Sequence, residues 1–362
     1  MKRNPGGVAK TPSTAFENAA ILGIAREGLR VPGFLRLHHI IGRRSILGHM
    51  KGRGMKRTIQ RPVISLLLVA GLVVGAPWAV SAGPEGGAGI RSSILQGTWY
   101  PADPAALKRV IQRYLSAAEV PAWKGRVQAL VVPHAGYRYS GPVAAHAFRM
   151  LQGQGVNRVV LVGPSHRLRF DGVSVGDHDA YETPLGRVPV DREAARRLRE
   201  CHEAMRFVPQ AHALEHSLEI QIPFLQCVLD SFTIVPVIMG RQDRGTCSLL
   251  ASGLERALQD GVPTLLVAST DLSHYHSDRS ARTLDETFIG FMRHQDPDGL
   301  LRSLSAGRCE ACGGGPTAAV MQAVDAQKNG EWRILRYATS GDVTGERDRV
   351  VGYLAAAFVT EE

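Results

Sequence analysis

Val131-Val132-Pro133-His134-Ala135-Gly136-Tyr137 and Val162-Gly163-Pro164-Ser165-His166 decide how this 362-residue chain is read. Each places a histidine directly behind an apolar run of β character, Ala129-Leu130-Val131-Val132 in one case and Val159-Val160-Leu161-Val162 in the other. Ligands of open α/β sheets bind in the crevice beyond the carboxyl ends of the strands. Two imidazoles delivered there from separate strands can converge on one ion or one substrate. A histidine that merely caps a strand end by hydrogen bonding is the plainer reading of either run alone. The matching positions favour convergence.

Further strands are expected at 233–238, 264–268, 334–337 and 354–358. Helices are expected between them. Asp103-Pro104 supplies a capping carboxylate and a first-turn proline, ahead of Leu107, Val110, Ile111, Tyr114 and Leu115 at helical spacing. Asp191 opens a helix reaching about Glu200, and 214–222 has a helical pattern that stops near Pro223. Alternating strands and helices with no dividing linker predict a single three-layer α/β/α domain around a central mixed sheet, over residues 92–362.

The start of the chain reads differently. Residues 1–54 are rich in Gly and Arg and keep no long period, so they are expected to be a non-native or disordered upstream extension, with the native start at Met55. Lys56, Arg57 and Arg61 then precede an apolar stretch at 63–75, and Val80-Ser81-Ala82 offers the small residues of a cleavage site. That pattern predicts a signal peptide over 55–82, followed by a Gly-rich lead-in over 83–91 and export to the periplasm. The apolar stretch is shorter than the roughly 20 residues of a membrane span, so no stable span is expected after cleavage.

The leader also explains the charge. The chain is +10 overall, but residues 1–82 hold 13 of its 43 Lys+Arg and 2 of its 33 Asp+Glu. The remainder carries 30 basic and 31 acidic residues, a net of −1, which gives no electrostatic case for nucleic acid. It also holds all five cysteines, and an odd number leaves at least one thiol unpaired in a monomer.

Three further segments bear chemistry. A third strand end, Leu265-Leu266-Val267-Ala268, leads into Ser269-Thr270-Asp271-Leu272-Ser273-His274, where a carboxylate could orient an imidazole for acid/base work; an Asx-turn at Asp271 is the plainer reading. Cys309-Glu310-Ala311-Cys312 is followed by three glycines that permit tight turns and close approach. Its C-x-x-C spacing leaves a disulfide or redox pair open, although thioredoxin-type motifs belong earlier in a βαβ pattern. His212-Ala213-Leu214-Glu215-His216 matches H-x-x-E-H, an inverted zinc-peptidase signature that is weak among 13 histidines. No G-x-G-x-x-G, Walker loop or G-x-S-x-G elbow supports nucleotide binding or serine hydrolysis.

Gly97-Thr98-Trp99-Tyr100, Pro133-His134-Ala135-Gly136-Tyr137, Gly163-Pro164-Ser165-His166, Glu215-His216-Ser217-Leu218-Glu219, Asp271-Leu272-Ser273-His274 and Cys312-Gly313 together resemble the Memo family, whose bacterial and archaeal members are called AmmeMemoRadiSam system protein B. The resemblance covers roughly residues 92–360. It implies a fold similar to class III extradiol dioxygenases of the LigB type. It also implies a redox metal, iron or copper, on His134, His166 and Cys312, with His274 as acid/base and Asp271 beside it. Glu215, His216, Tyr137 and Ser165 would line or brace the pocket. Two imidazoles and an anion with open positions suit oxygen chemistry, while a thiolate as the anion favours copper or a more covalent iron site. The implied functions are oxygen- or copper-dependent oxidase or dioxygenase-like chemistry on a small phenolic ligand, or a non-catalytic module binding metal or peptide. AmmeMemoRadiSam proteins are implied partners, although an exported copy would be separated from a cytoplasmic radical-SAM enzyme.

Overall fold

The computed structural model describes residues 89–325 and 330–360. The expected upstream extension, the signal peptide and positions 83–88 of the lead-in lie outside the described residues. Twelve strands are described: β1 (Ile90–Arg91), β2 (Arg126–Val132), β3 (Arg158–Pro164), β4 (Val173–Val175), β5 (Ala180–Thr183), β6 (Gly186–Pro189), β7 (Met205–Arg206), β8 (Thr233–Met239), β9 (Thr264–Ser269), β10 (His274–His276), β11 (Gly330–Thr339) and β12 (Val350–Thr360).

β2, β9, β3 and β8 lie side by side and parallel at the centre of the main sheet. β12 adds antiparallel to β2 and carries β10 and β11, also antiparallel. At the other edge β4 runs antiparallel to β8, with β7 parallel to β4. β1, β5 and β6 form a separate small sheet.

The central strands read as continuous apolar runs because both of their faces are covered. Side chains alternate between faces with a period of two. Accordingly Leu130, Val132, Val159, Leu161, Leu265 and Val267 enter one apolar cluster, and Ala129, Val131, Val160, Val162, Leu266 and Ala268 enter another. Helices Pro104–Ala117, Tyr137–Arg149 and Ile222–Val228 pack on the first face. Arg192–Glu200, Arg244–Ala257, Asp278–Arg293, Pro297–Ser305 and Gly314–Asp325 pack on the second. The expected α/β/α domain with a mixed sheet is what forms. Two expected caps are made as well: Asp103 accepts from the Ala106 N–H at 2.7 Å and Asp191 from the Ala194 N–H at 2.9 Å. Among the described residues no helix is long and apolar enough to cross a membrane.

Two boundaries differ from expectation. The fold begins earlier than residue 92, because Ile90–Arg91 pair with β5 and Arg91 is buried. The helix expected over 214–222 does not form. Residues 214–218 are irregular, Glu219–Gln221 make a 3₁₀ turn, and the helix proper is Ile222–Val228, with Pro223 inside its first turn instead of ending it. The cause is Glu215. Its Oε1 accepts the backbone N–H groups of His216 and Ser217, both at 3.0 Å, which bends the chain around the carboxylate.

Candidate metal centre

Since β2, β9 and β3 are adjacent and parallel, their carboxyl ends open at one place. His134 leaves the end of β2, His166 follows β3, and Asp271 follows β9. Cys312 arrives from the far side, just ahead of helix Gly314–Asp325. Gly313 allows this approach, since a Cβ there would run into the Ser269 carbonyl oxygen and the Thr270 side chain. The loop carrying Glu215 and His216 closes the group from above β3, where Gly163 leaves room for Ser217 and Leu218.

The imidazoles of His134 and His166 stand edge to face with centroids 5.1 Å apart, and His216 lies 5.3 Å and 4.4 Å from them. One ligand atom from each of His134, His166 and His216 falls within 4.8 Å of the other two. Cys312 Sγ lies 3.0 Å from His134 Nε2. Of the expected ligands, His134 and His166 are thus brought together, while Cys312 touches His134 and stands outside the three-histidine group. His216, expected only to line the pocket, joins the two histidines at ligand distance.

The tautomers follow from the partners. Ser269 Oγ donates its hydrogen to the Ser217 carbonyl at 2.7 Å and accepts from Gln221 Nε2 at 2.8 Å. It therefore accepts from His134 Nδ1, 3.0 Å away, and His134 turns a lone pair on Nε2 towards Cys312. His166 Nδ1 sits 2.8 Å from Glu215 Oε1. Burial alone would raise the Glu215 carboxyl, but the bond from His166 and the neighbouring imidazoles prevail and hold it down to about 2. An ionised Glu215 can only accept, so His166 donates to it from Nδ1 and turns Nε2 away from the carboxylate. Burial, followed by the mutual repulsion of the imidazoles, keeps His134 well below the usual histidine range and His216 down to about 4. His134 and His216 are therefore neutral at neutral pH.

The thiol completes this pattern. Burial, then the Asp271 carboxylate, pushes Cys312 well above the ordinary thiol range. Without a cation it keeps its proton, which points at His134 Nε2. A metal ion would take that proton's place, as thiolate ligation requires. Imidazoles with one ionisable thiol fit iron or copper by donor chemistry.

Other expected roles change. Asp271 was expected to fix the His274 ring, but among the described residues its carboxylate accepts instead from the backbone N–H of His134 at 2.8 Å and from that of Ala135. It holds the Pro133–Gly136 turn in place. Burial raises this carboxyl despite the nearby His274 and those N–H bonds. His274 lies at the start of β10, part-buried and near both His134 and Asp271. Tyr137 is buried, and its hydroxyl donates to the Ile220 carbonyl at 2.8 Å. Ser165 donates to the Leu168 carbonyl at 2.6 Å and braces its own turn. The five cysteines are free, so Cys309 and Cys312 are not paired; Cys309 is buried in the second apolar cluster.

The H-x-x-E-H reading fails on geometry. His212 ends the short helix Pro209–Ala213, with Nε2 bonded to Ser174 Oγ at 2.9 Å and Nδ1 to Tyr181 Oη at 3.0 Å. Neither nitrogen is free for zinc. The supports that sequence reasoning missed are Ser269 and Gln221 beneath His134, and Trp99, whose ring lies 4.7 Å from His216. A serine behind a strand and a glutamine in an apolar turn carry no sequence signal of such a role.

Comparisons with known proteins agree with the motifs. A model of the Memo-like protein family matches residues 91–357. A MEMO1 family protein of Methanothermobacter thermautotrophicus is 38% identical over 272 residues, covering 73% of this chain and 98% of that protein. Another, of Methanopyrus kandleri, is 38% identical over 279 residues, covering 74% and 98%. The solved structure of an uncharacterized Escherichia coli K12 protein aligns with 64% of this chain and 99% of its own at 17% identity and a TM-score of 0.40, a similarity too partial to set the fold. The family match and the relatives agree along nearly the whole described chain: this protein belongs to the Memo-like family.

Proposed function

We propose that this chain is an exported Memo-family protein that binds iron or copper through His134, His166 and Cys312, with His216 in reach, and uses it in oxygen-dependent oxidase chemistry on a small phenolic or peptide ligand. The observation that carries the reading is the pair of Nδ1 anchors. Glu215 and Ser269 each hold an imidazole by Nδ1, which turns both Nε2 atoms away from these partners, and the part-buried Cys312 thiol lies 3.0 Å from that of His134. Partners of this kind orient a ligand and raise its basicity. A bound ion would supply a redox couple and an open coordination position. The protein's own part is to hold His134 neutral, to anchor His166 by Nδ1, and to keep Cys312 protonated until the ion arrives. His274, at the edge of the group, is the residue placed to carry a proton, since it has no part in the ligand set.

Iron(II) or copper(I), added anaerobically to the metal-free protein, is expected to release about one proton per ion, from Cys312 Sγ. Cys312→Ala is expected to abolish that release and to weaken binding by roughly a hundredfold or more, beyond the usual cost of losing an orienting partner. Wild-type affinity in the variant would give the third position to His216. Oxygen uptake with a reductant and a phenol tests the chemistry: metal binding with no uptake would make the protein a binding module. Export is checked by the N-terminus of the periplasmic protein, expected near Gly83.

A further inference from the structure

We infer that Arg91 is a positioning residue for the metal centre: it pins the backbone of the loop whose Glu215 orients His166, so that a segment distant in sequence sets metal affinity without touching the ion. The inference rests on the metal reading above.

Arg91 is buried, and its guanidinium spans three acceptors on one loop. Nε donates to the His212 carbonyl at 2.9 Å, one terminal nitrogen to the Glu215 carbonyl at 2.6 Å, and the other to Glu219 Oε2 at 2.6 Å. The ring of Tyr181 lies 5.0 Å from its central carbon. No regular helix or strand runs through residues 214–218, so the loop has no ladder of its own to hold its shape. Its shape comes from the two carbonyls held by Arg91 on one side and the N–H groups held by the Glu215 carboxylate on the other. The Glu215 carbonyl and carboxylate belong to the same residue. A shift at the first therefore moves the second, and with it the Nδ1–H bond of His166.

Glu219 makes the arrangement mutual. Its carboxylate accepts from Arg91, from the hydroxyls of Ser93 and Tyr100 at 2.7 Å each, and from the N–H groups of Ile94 and Leu95. Segment 91–100 is thus folded around one acidic residue of the metal-site loop. Its far end delivers Trp99 onto His216, and the Trp99 carbonyl accepts the Tyr137 N–H at 3.0 Å beside the His134 turn. A planar fork that satisfies three fixed acceptors is a task for arginine, and lysine supplies a point charge instead.

The test compares Arg91→Lys with Leu107→Ala, a buried helix truncation outside the hydrogen bonds that hold the loop. Iron(II) affinity is measured anaerobically for both, and the His166 Nδ1–H resonance is followed by ¹⁵N NMR in the metal-free protein. Arg91→Lys is expected to weaken iron(II) binding about 10- to 100-fold, the usual loss for a disturbed orienting partner, and to broaden or remove that resonance. Leu107→Ala is expected to melt earlier yet keep both. Wild-type affinity and an intact resonance in Arg91→Lys would overturn the inference, as would equal affinity losses in the two variants. Should Arg91→Lys not fold, Glu219→Gln is held to the same two outcomes. Failure of the wild-type protein to bind iron(II) or copper(I) would sink the metal reading by itself, and the resonance then decides the role of Arg91.

Discussion

Replacing His134 with alanine is expected to cost well over a hundredfold in iron or copper affinity, while His212→Ala leaves affinity within about twofold. Losing an orienting partner typically costs 10- to 100-fold, and a ligand atom is worth more than its support. His134 belongs to the group with His166 and His216, and its Nε2 lies 3.0 Å from Cys312 Sγ. The bond that anchors its turn is made by its backbone N–H to Asp271, and alanine keeps that bond. The variant should therefore fold, and the loss should be one of ligation. His212 is separated from this group by its own bonds to Ser174 and Tyr181, so its removal is a matter of stability. Side-by-side titrations under anaerobic conditions check the pair. Loss of binding in His212→Ala with retention in His134→Ala would falsify the site and restore the zinc-peptidase alternative, in which Glu215 activates water.

The contrast between these two histidines shows what the sequence carries. His134 and His166 are legible because each follows an apolar run long enough to be a strand buried on both faces, and the end of such a strand has few places to be. β2, β3, β8, β9 and β12 were readable for the same reason, while β11 is only half-buried. β1, β4, β5, β6, β7 and β10 span two to four residues, too short for any period to register. The segment 214–222 shows the opposite failure. Leu214, Leu218 and Ile222 keep a helical interval, but the pattern is blind to a carboxylate that recruits the N–H groups of its own neighbours. Since that bend was unreadable, so was the position of His216, which a helix would have placed on the same face as His212. Tyr137 and Ser165 sit beside the right residues, yet their hydroxyls reach for backbone carbonyls, and only the folded chain decides which way such a group turns. Arg91 shows the limit most clearly. An arginine ahead of two serines after a Gly-rich stretch looks exposed, and its burial depends on Glu219, 128 positions away.

Glu215→Gln is expected to destabilise the metal-free protein by about 3 kcal/mol at pH 7, with the difference vanishing in acid. The carboxylate is buried, and its Oε1 accepts from His166 Nδ1 and from the N–H groups of His216 and Ser217, while Oε2 accepts from the His166 N–H. Both oxygens face donors. A glutamine must turn its own NH₂ towards one of them, which sets donor against donor and leaves a buried group unsatisfied. The magnitude follows from linkage: a carboxyl held at about 2 instead of its usual 4.5 is stabilised by about 3 kcal/mol in its ionised form. The sign is that of a depressed acid. The contribution is complete above about pH 4.5, where the unfolded chain is also ionised, and drains away as pH falls towards about 2. Denaturant unfolding of wild type and variant at pH 7 and again at steps below pH 4.5 should show the gap closing through that window. A gap that persists unchanged into acid would mean that shape, and not charge, is what Glu215 supplies. In the metal-loaded protein the same variant should also lose affinity at pH 7, since His166 would no longer be held at Nδ1 by a carboxylate.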